Sequence, residues 1–382
     1  MRLLLLGFAL TLALTGCTKK DEAAVAPTAA NTTPKQATGD IRAGLTIAER
    51  DCKSCHGLDG VGTAPAIPHL AAQRANYMLE AIKEYKAGKR VHAALEMTGK
   101  LSESDMLNVV SYYSSLPAVT VAADKAASRF LPYEHGKAKS AACAKCHSED
   151  GNSKTPGIPN LAGQQPRYFV VALQEYLHGA RKKDPMHALL PLLNKLDMES
   201  LALYFASQTP APRTAPPSGD PVAGERLSTV CAGCHGPAGL STDSSTSTLA
   251  SQDFQYLVNA IKSYKKGRQH EGMRALVSKL SDKDIDNIAA FYTTQKSRPA
   301  ANGEALVKDL VEKCDRCHKA GLENPTMAVP TINGQDKDYL VMSLRSYRDT
   351  RRESSLMHNM SLPYSDAIIE GIASFYASQP PK

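Results

Sequence analysis

The sequence predicts an all-α chain made of four small units in tandem, and three observations carry that prediction. The pentapeptides CKSCH, CAKCH, CAGCH and CDRCH begin at Cys52, Cys143, Cys231 and Cys314, so one pattern recurs four times. Its first cysteines stand 143−52=91, 231−143=88 and 314−231=83 residues apart. Between them, apolar residues recur at three- and four-residue steps, as on a helix face, and no stretch alternates like a strand over several residues.

Each unit repeats one order of features. A helical lead-in such as GDIRAGLTIAERD or GEALVKDLVEK runs into the cysteine pattern, and a loop bearing Gly and Pro follows. An amphipathic run comes next: RANYMLEAIKEYKAG, PRYFVVALQEYLHG, FQYLVNAIKSYKKG and KDYLVMSLRSYRD. The unit closes with LSESDMLNVVSYYSSL, LDMESLALYFASQ, LSDKDIDNIAAFYTTQ or YSDAIIEGIASFYASQ. Ser102 with Asp105, and Ser281 with Asp284, stand as helix N-cap and third-position acid.

The ends and the joins are compositionally distinct. Arg2 precedes an apolar run from Leu3 to Leu14, which fits a secretory signal and falls short of the roughly 20 residues a membrane span needs. The segment LTGC ending at Cys17 resembles the lipobox of bacterial lipoproteins, in which the cysteine is lipidated; the alternative is ordinary cleavage beside a stray thiol. Residues 1–16 are therefore expected to be a signal peptide and residues 17–40 a disordered tether rich in Ala, Thr and Pro. Units are expected at 41–120, 121–210, 221–297 and 298–382, with a linker at 211–220 inside TPAPRTAPPSGDP. That proline-rich break predicts two paired bodies, repeats one with two and three with four. With no Trp and only seven Phe among 382 residues, units this small have little core of their own, so something other than side chains is expected to fill them.

Cysteines two apart have three ordinary readings: a redox dithiol, half a zinc site, or a c-type haem attachment. A dithiol has no use for the histidine that follows every pair here. A structural zinc site needs four ligands, and pairs more than 80 residues apart supply them awkwardly. Two thiols one helical turn apart can add to the two vinyl groups of one porphyrin, and the next residue then places an imidazole under the iron. The reading is four covalently attached haem c groups, on Cys52 and Cys55, Cys143 and Cys146, Cys231 and Cys234, and Cys314 and Cys317. A porphyrin is also the large apolar body the units lack.

His56, His147, His235 and His318 are then the proximal iron ligands. Met97, Met186, Met273 and Met357 lie 41, 39, 38 and 39 residues beyond them, and four methionines at such spacing are read as the distal ligands. His92, His187, His270 and His358 scatter more widely, at 36, 40, 35 and 40 residues. Met360 competes with Met357, and His187 with Met186. Met78, Met106, Met198 and Met342 fall within helices and are expected to pack.

With these residues in place, the chain resembles tandem class I cytochromes c, most nearly the dihaem c4 type doubled, over about residues 41–382. The marks are HGLDGVG and HSEDGNS after the proximal histidine, IPNLAGQQPRY and VPTINGQDKDY further on, and LEMTGKLSESD around Met97. The resemblance implies four class I cytochrome c domains arranged as two dihaem pairs. It also implies that Pro68, Pro159 and Pro330 offer their carbonyls to the proximal imidazole N–H, a bond that orients the ring and tunes the metal. Ser247 stands in that place in the third repeat, which puts its proximal bond in doubt and points to an altered potential or a more open pocket there.

Iron held by His and Met has both axial positions filled, so it passes single electrons and little else. The expected function is a membrane-tethered tetrahaem electron carrier rather than an enzyme, working between redox proteins such as a respiratory complex, an oxidase, a reductase or a soluble cytochrome. It is expected on the periplasmic side of a bacterial membrane, with Thr18 after Cys17 favouring the outer one. The alternative is a peroxidase-like or small-oxidant-reducing haem enzyme, or a redox sensor, using one haem with an open distal site. The formal charge of +7 falls to +6 without Arg2, and eight ionised propionates bring it near neutral, so nucleic-acid binding is not implied. Lysine-rich strips such as KEYKAGKR and KSYKKGR would steer acidic partners, or simply be solvated helix faces.

Overall fold

The computed structural model describes residues 39–90, 98–120, 129–181, 184–214, 216–319 and 328–381. The signal peptide, Cys17, nearly all of the tether, His92 and Met97 lie outside these residues.

The described residues are helical, with one isolated bridge between Arg90 and Arg352. Repeat 1 holds α1 (Ile41–Ile47), α2 (Lys53–His56), α3 (Ala75–Lys86) and α4 (Glu103–Ser115). Repeat 2 holds α5 (Pro132–His147), α6 (Pro166–Leu177), α7 (Asp184–Leu189) and α8 (Lys195–Ala206). Repeat 3 holds α9 (Pro221–Leu227), α10 (Ala232–His235), α11 (Phe254–Lys266), α12 (Glu271–Val277) and α13 (Asp282–Thr294). Repeat 4 holds α14 (Gly303–His318), α15 (Lys337–Arg348), α16 (Ser355–Ser361) and α17 (Asp366–Ala377). The expected capping boxes form at Ser102 and Ser281, and Asn194 with Asp197 makes a third.

In every repeat the lead-in helix crosses the closing helix. Close crossing needs a small residue, and three repeats place it on the lead-in. A side chain at Gly44, Gly136 or Gly224 would strike the carbonyl of Asn108, Ser200 or Asn287 respectively. Repeat 4 exchanges the roles: Val307 stands on the lead-in, and Gly371 faces it from the closing helix, where a Cβ would lie 3.2 Å from Val307. Gly136 and Gly224 precede their first cysteine by seven residues and Gly44 by 52−44=8; a π-helical turn at Ala48–Cys52 takes up the extra residue. Each repeat has its own apolar cluster, and Cys52, Cys143, Cys231 and Cys314 each pack against theirs. Met78, Met106 and Met198 are buried in these clusters, as packing methionines should be.

The repeats pair, but not in sequence order. Repeat 1 faces repeat 4, and repeat 2 faces repeat 3. The Gln73 side chain takes the N–H of Thr331 at 2.9 Å and gives to its carbonyl at 2.8 Å. Gln335 returns this on His69 at 2.7 and 3.0 Å. Gln164 does the same on Thr248, and Gln252 on Asn160. Asp336 and Asp253 each cap their own helix while accepting the backbone N–H of Ala66 and Gly157 across the boundary. The expectation that repeats one and two, and three and four, would pair is therefore corrected. The proline-rich break does not separate two bodies: Ala211 and Arg213 are bonded to Asn152 and Ser153 of repeat 2.

Repeats 2 and 4 join the two pairs back to back. Lys195 meets Asp366 at 2.9 Å, Glu199 accepts the Ala367 N–H, and Ser374 accepts that of Phe130. Pro132, at the start of α5, seats on Gly371, where a Cβ would come within 2.9 Å.

Candidate cofactor sites

The four CxxCH motifs end helices, and each histidine then folds back under the loop that follows. His56 Nδ1 lies 3.0 Å from the Pro68 carbonyl, His147 3.0 Å from Pro159, and His318 3.0 Å from Pro330. In repeat 3, His235 Nδ1 lies 2.8 Å from the carbonyl of Ser247. The doubt about that repeat is removed, because the acceptor is backbone and survives the loss of proline. A carbonyl can only accept, so Nδ1 carries the proton and Nε2 keeps its lone pair for a metal. Burial holds His147, His235 and His318 below the ordinary imidazole range, with the carbonyl bond opposing, so the rings are neutral as a ligand requires.

Burial pushes the thiols of Cys52, Cys143 and Cys314, the first of each pair, up to about 11, and each packs against the apolar cluster of its repeat. Among the described residues no group of three or more His, Cys, Asp or Glu is placed to hold a metal ion, as a zinc site would be.

Three of the four predicted distal methionines lie in described residues, and they occupy one position. Met186, Met273 and Met357 are each the third residue of a short helix, α7, α12 and α16. Each stands eight residues before the cap of its closing helix: 194−186, 281−273 and 365−357. Met97 stands five before Ser102, the offset Met360 has from Ser365, so repeat 1 departs from the register of the other three. Two rival histidines are otherwise engaged: His270 caps α12 through the Met273 N–H, and His358 bonds the Tyr347 carbonyl at 2.8 Å.

Repeats 1 and 4 enclose a cavity of about 630 Å³ that reaches Cys52 and His56 on one side and Cys314, His318, Met357 and Met360 on the other. Arginines from both repeats line it. Arg90 is ion-paired with Glu84, while Arg352 donates to the Tyr77 hydroxyl at 2.9 Å and lies 4.5 Å from the Tyr347 ring centre. Repeats 2 and 3 repeat this with Arg181 on Glu175, and Arg268 at 3.7 Å from the same carboxylate and 4.3 Å from the Tyr264 ring. Each interface thus gathers two guanidinium groups and one glutamate, which pairs with Arg90 alone between repeats 1 and 4 and with both Arg181 and Arg268 between repeats 2 and 3. The residue before the equivalent tyrosine is Glu84 or Glu175 in repeats 1 and 2 but Ser346 or Ser263 in repeats 4 and 3. Sequence reasoning missed this cluster. The surplus positive charge is visible on Tyr77: burial pushes its hydroxyl up, but Arg352 and Arg90 outweigh that and hold it below the ordinary value.

The Nε atoms of Arg352 and Arg268 are buried with no hydrogen-bond acceptor. A buried guanidinium N–H left unpaired is costly and calls for an acceptor. Propionate carboxylates at the edge of an apolar macrocycle are such acceptors. Paired cysteines at the helix end, a neutral imidazole with Nε2 available, an apolar cavity and uncompensated arginines all fit a covalently held haem.

Comparison with known proteins agrees. The family model described as cytochrome c matches residues 41–117, and that of subunit III of cbb3-type cytochrome c oxidase matches residues 223–291. Cytochrome c4 of Azotobacter vinelandii is 33% identical over 179 residues, covering 41% of this chain and 85% of that protein. The thiosulfate dehydrogenase electron acceptor of Stutzerimonas stutzeri is 27% identical, covering 43% of this chain and 82% of its own length. The crystal structure of reduced cytochrome c4 from Pseudomonas stutzeri, 31% identical, covers 43% of this chain and 98% of that one with a TM-score of 0.40. Covalent haem of the c type is the cofactor these domains take. The chain belongs to the cytochrome c4-like family of class I cytochromes c.

Proposed function

We propose that the chain is a tetrahaem electron carrier, exported and tethered through lipidated Cys17 on the periplasmic side of a bacterial membrane, with the outer membrane favoured. The observation that carries the reading is fourfold: His56, His147, His235 and His318 each follow a cysteine pair and each bond a backbone carbonyl twelve residues on. In this reading the eight cysteines hold four haems, these histidines bind iron through Nε2, and Met97, Met186, Met273 and Met357 bind from the opposite side. A haem supplies a one-electron iron couple; the chain's own residues hold it, fix its axial ligands and keep small oxidants from the metal. Arg352 and Arg268, whose Nε atoms are buried without an acceptor, would neutralise propionates.

Redox proteins are the partners. The likeness to a thiosulfate dehydrogenase electron acceptor supports a dehydrogenase as donor, with a respiratory complex, reductase, oxidase or soluble cytochrome next in line. Repeat 3 keeps the proximal bond that its missing proline had put in question, while the catalytic alternative turns on an open distal site. Among the described residues no helix is long and apolar enough to cross a membrane.

The test is a pyridine haemochrome assay with ferric-state spectra on the purified full chain. Four haems per polypeptide, all low-spin with sulfur ligation, are expected. Fewer haems, or bound zinc, would overturn the carrier reading; a high-spin haem would restore the catalytic one. Mass spectrometry of the membrane fraction, with and without Cys17→Ser, tests the anchor.

A further inference from the structure

Each repeat places one buried glutamine at the same position on its partner, and the place it reaches is specific. Gln335 of repeat 4 accepts the His69 N–H at 2.7 Å. That N–H belongs to the same peptide unit as the Pro68 carbonyl, which receives the His56 ring at 3.0 Å. A peptide unit is planar, so its N–H and C=O move together. Gln335 thus grips one side of the plane while His56 of repeat 1 holds the other. Gln73 of repeat 1 is placed likewise on the unit joining Pro330 and Thr331, whose carbonyl receives His318. Gln252 takes the Asn160 N–H at 2.6 Å behind His147, and Gln164 takes the Thr248 N–H at 2.8 Å behind His235. All four amides are buried, and each is steadied by its own following N–H.

We infer that these glutamines are positioning residues acting in trans: each sets the proximal histidine of the partner repeat, through one peptide unit, and so tunes the partner's haem potential. Donating the N–H to a glutamine oxygen polarises the peptide and makes its carbonyl a better acceptor. A better acceptor draws the Nδ1 proton, makes the imidazole more basic and favours ferric iron. Loss of a glutamine therefore raises the potential of the other repeat's haem and not that of its own. The inference rests on the tetrahaem reading above, and it makes the pairs 1–4 and 2–3 the units of redox interaction.

The experiment uses the full chain with the haem of repeat 4 marked by Met357→His, whose bis-histidine signal is followed by electron paramagnetic resonance during a redox titration. Adding Gln73→Leu, from repeat 1, is expected to shift the reduction equilibrium of the marked haem several-fold toward ferrous. Adding Gln335→Leu, from its own repeat, is expected to leave it within about twofold. Gln73→Glu keeps an acceptor for the Thr331 N–H, so the marked haem should stay at or below its starting potential; a packing role alone would make Glu at least as disruptive as Leu. The inference is overturned if Gln335→Leu moves the marked haem as much as Gln73→Leu does, or if neither moves it. A missing bis-histidine signal would instead refute Met357 as ligand, and the same contrast is then read at repeat 3 with Met273→His, Gln164→Leu in trans and Gln252→Leu in its own repeat. A haem count below four would refute the carrier reading itself, independently of these shifts.

Discussion

The interface between repeats 1 and 4 and that between repeats 2 and 3 use the same parts and are held together differently. Both have reciprocal glutamines, a capping aspartate that reaches across, and two arginines beside one glutamate, which pairs with Arg90 alone in the first and with both Arg181 and Arg268 in the second. Repeats 2 and 3 are also joined by a short connection, and Arg213 within it bonds Ser153 at 2.6 Å, contacts Asn160, and comes within 4.0 Å of Asp253 in repeat 3. Among the described residues repeats 1 and 4 have no such strap; their bonded residues stand 245 to 275 positions apart. The comparison teaches that partner choice follows complementarity and not nearness along the chain. Pairing repeats 1 and 2 would set two glutamates among two arginines, and pairing 3 and 4 would leave two buried arginines with none. The observed pairing gives each interface one.

The most severe way to break the comparison is to remove one attachment site. Replacing Cys52 and Cys55 together by Ala should leave repeat 1 without the body that fills it, and repeat 4 without a partner. Limited proteolysis is expected to cut within repeats 1 and 4 while residues 129–300 stay protected, and the haem count should fall by at least one. Protection of repeat 4 alongside loss of repeat 2 would restore the sequential pairing.

Arginine substitution sharpens the contrast. Arg90→Met strands Glu84 and is expected to cost about 3 kcal/mol in denaturant unfolding of the holoprotein. Arg181→Met should cost less, because Arg268 remains 3.7 Å from Glu175. Arg213→Ala removes the strap on the 2–3 side only; about 1–2 kcal/mol is expected, with the 1–4 interface unchanged by hydrogen exchange. The smallest effect is one of pH, at the contact between the pairs. Burial pushes the Asp366 carboxyl up, but hydrogen bonds from Lys195 and Arg348 outweigh it and hold the group at about 2. A depressed carboxyl stabilises above its unfolded value, near 3.9, and loses that contribution as pH falls toward 2. Hydrogen exchange at the start of α17 should therefore rise over that window, and Asp366→Asn should flatten the dependence.

Helices, caps and the cysteine–histidine motifs were legible because each is local: a period, a Ser–Asp spacing, two cysteines and a histidine. The proximal bond was legible through proline in three repeats and misjudged in the fourth, since proline marks the position but the carbonyl of Ser247 does the bonding. The exchange of Gly for Val307, answered by Gly371 on the other helix, needs both sides of a crossing in view. The pairing was misread because a proline-rich break was taken as a separator. The signal lay elsewhere, in Glu84 and Glu175 against Ser346 and Ser263, and in Arg74 and Gln165 against Asp336 and Asp253. Such complementarity emerges only when the four repeats are aligned and opposite chemistries are matched.

The crossed pairing also bears on how the protein is made. Repeat 1 leaves the ribosome first of the four, yet the residues that complete it, Gln335, Asp336 and Arg352, belong to repeat 4. Repeats 2 and 3 can close on each other as soon as both have emerged, whereas repeat 1 must wait, with Arg90 and Gln73 uncovered, until repeat 4 has emerged. Maturation of the first cofactor site is thereby tied to completion of the last, so a truncated polypeptide would carry its defect at the opposite end from the missing residues.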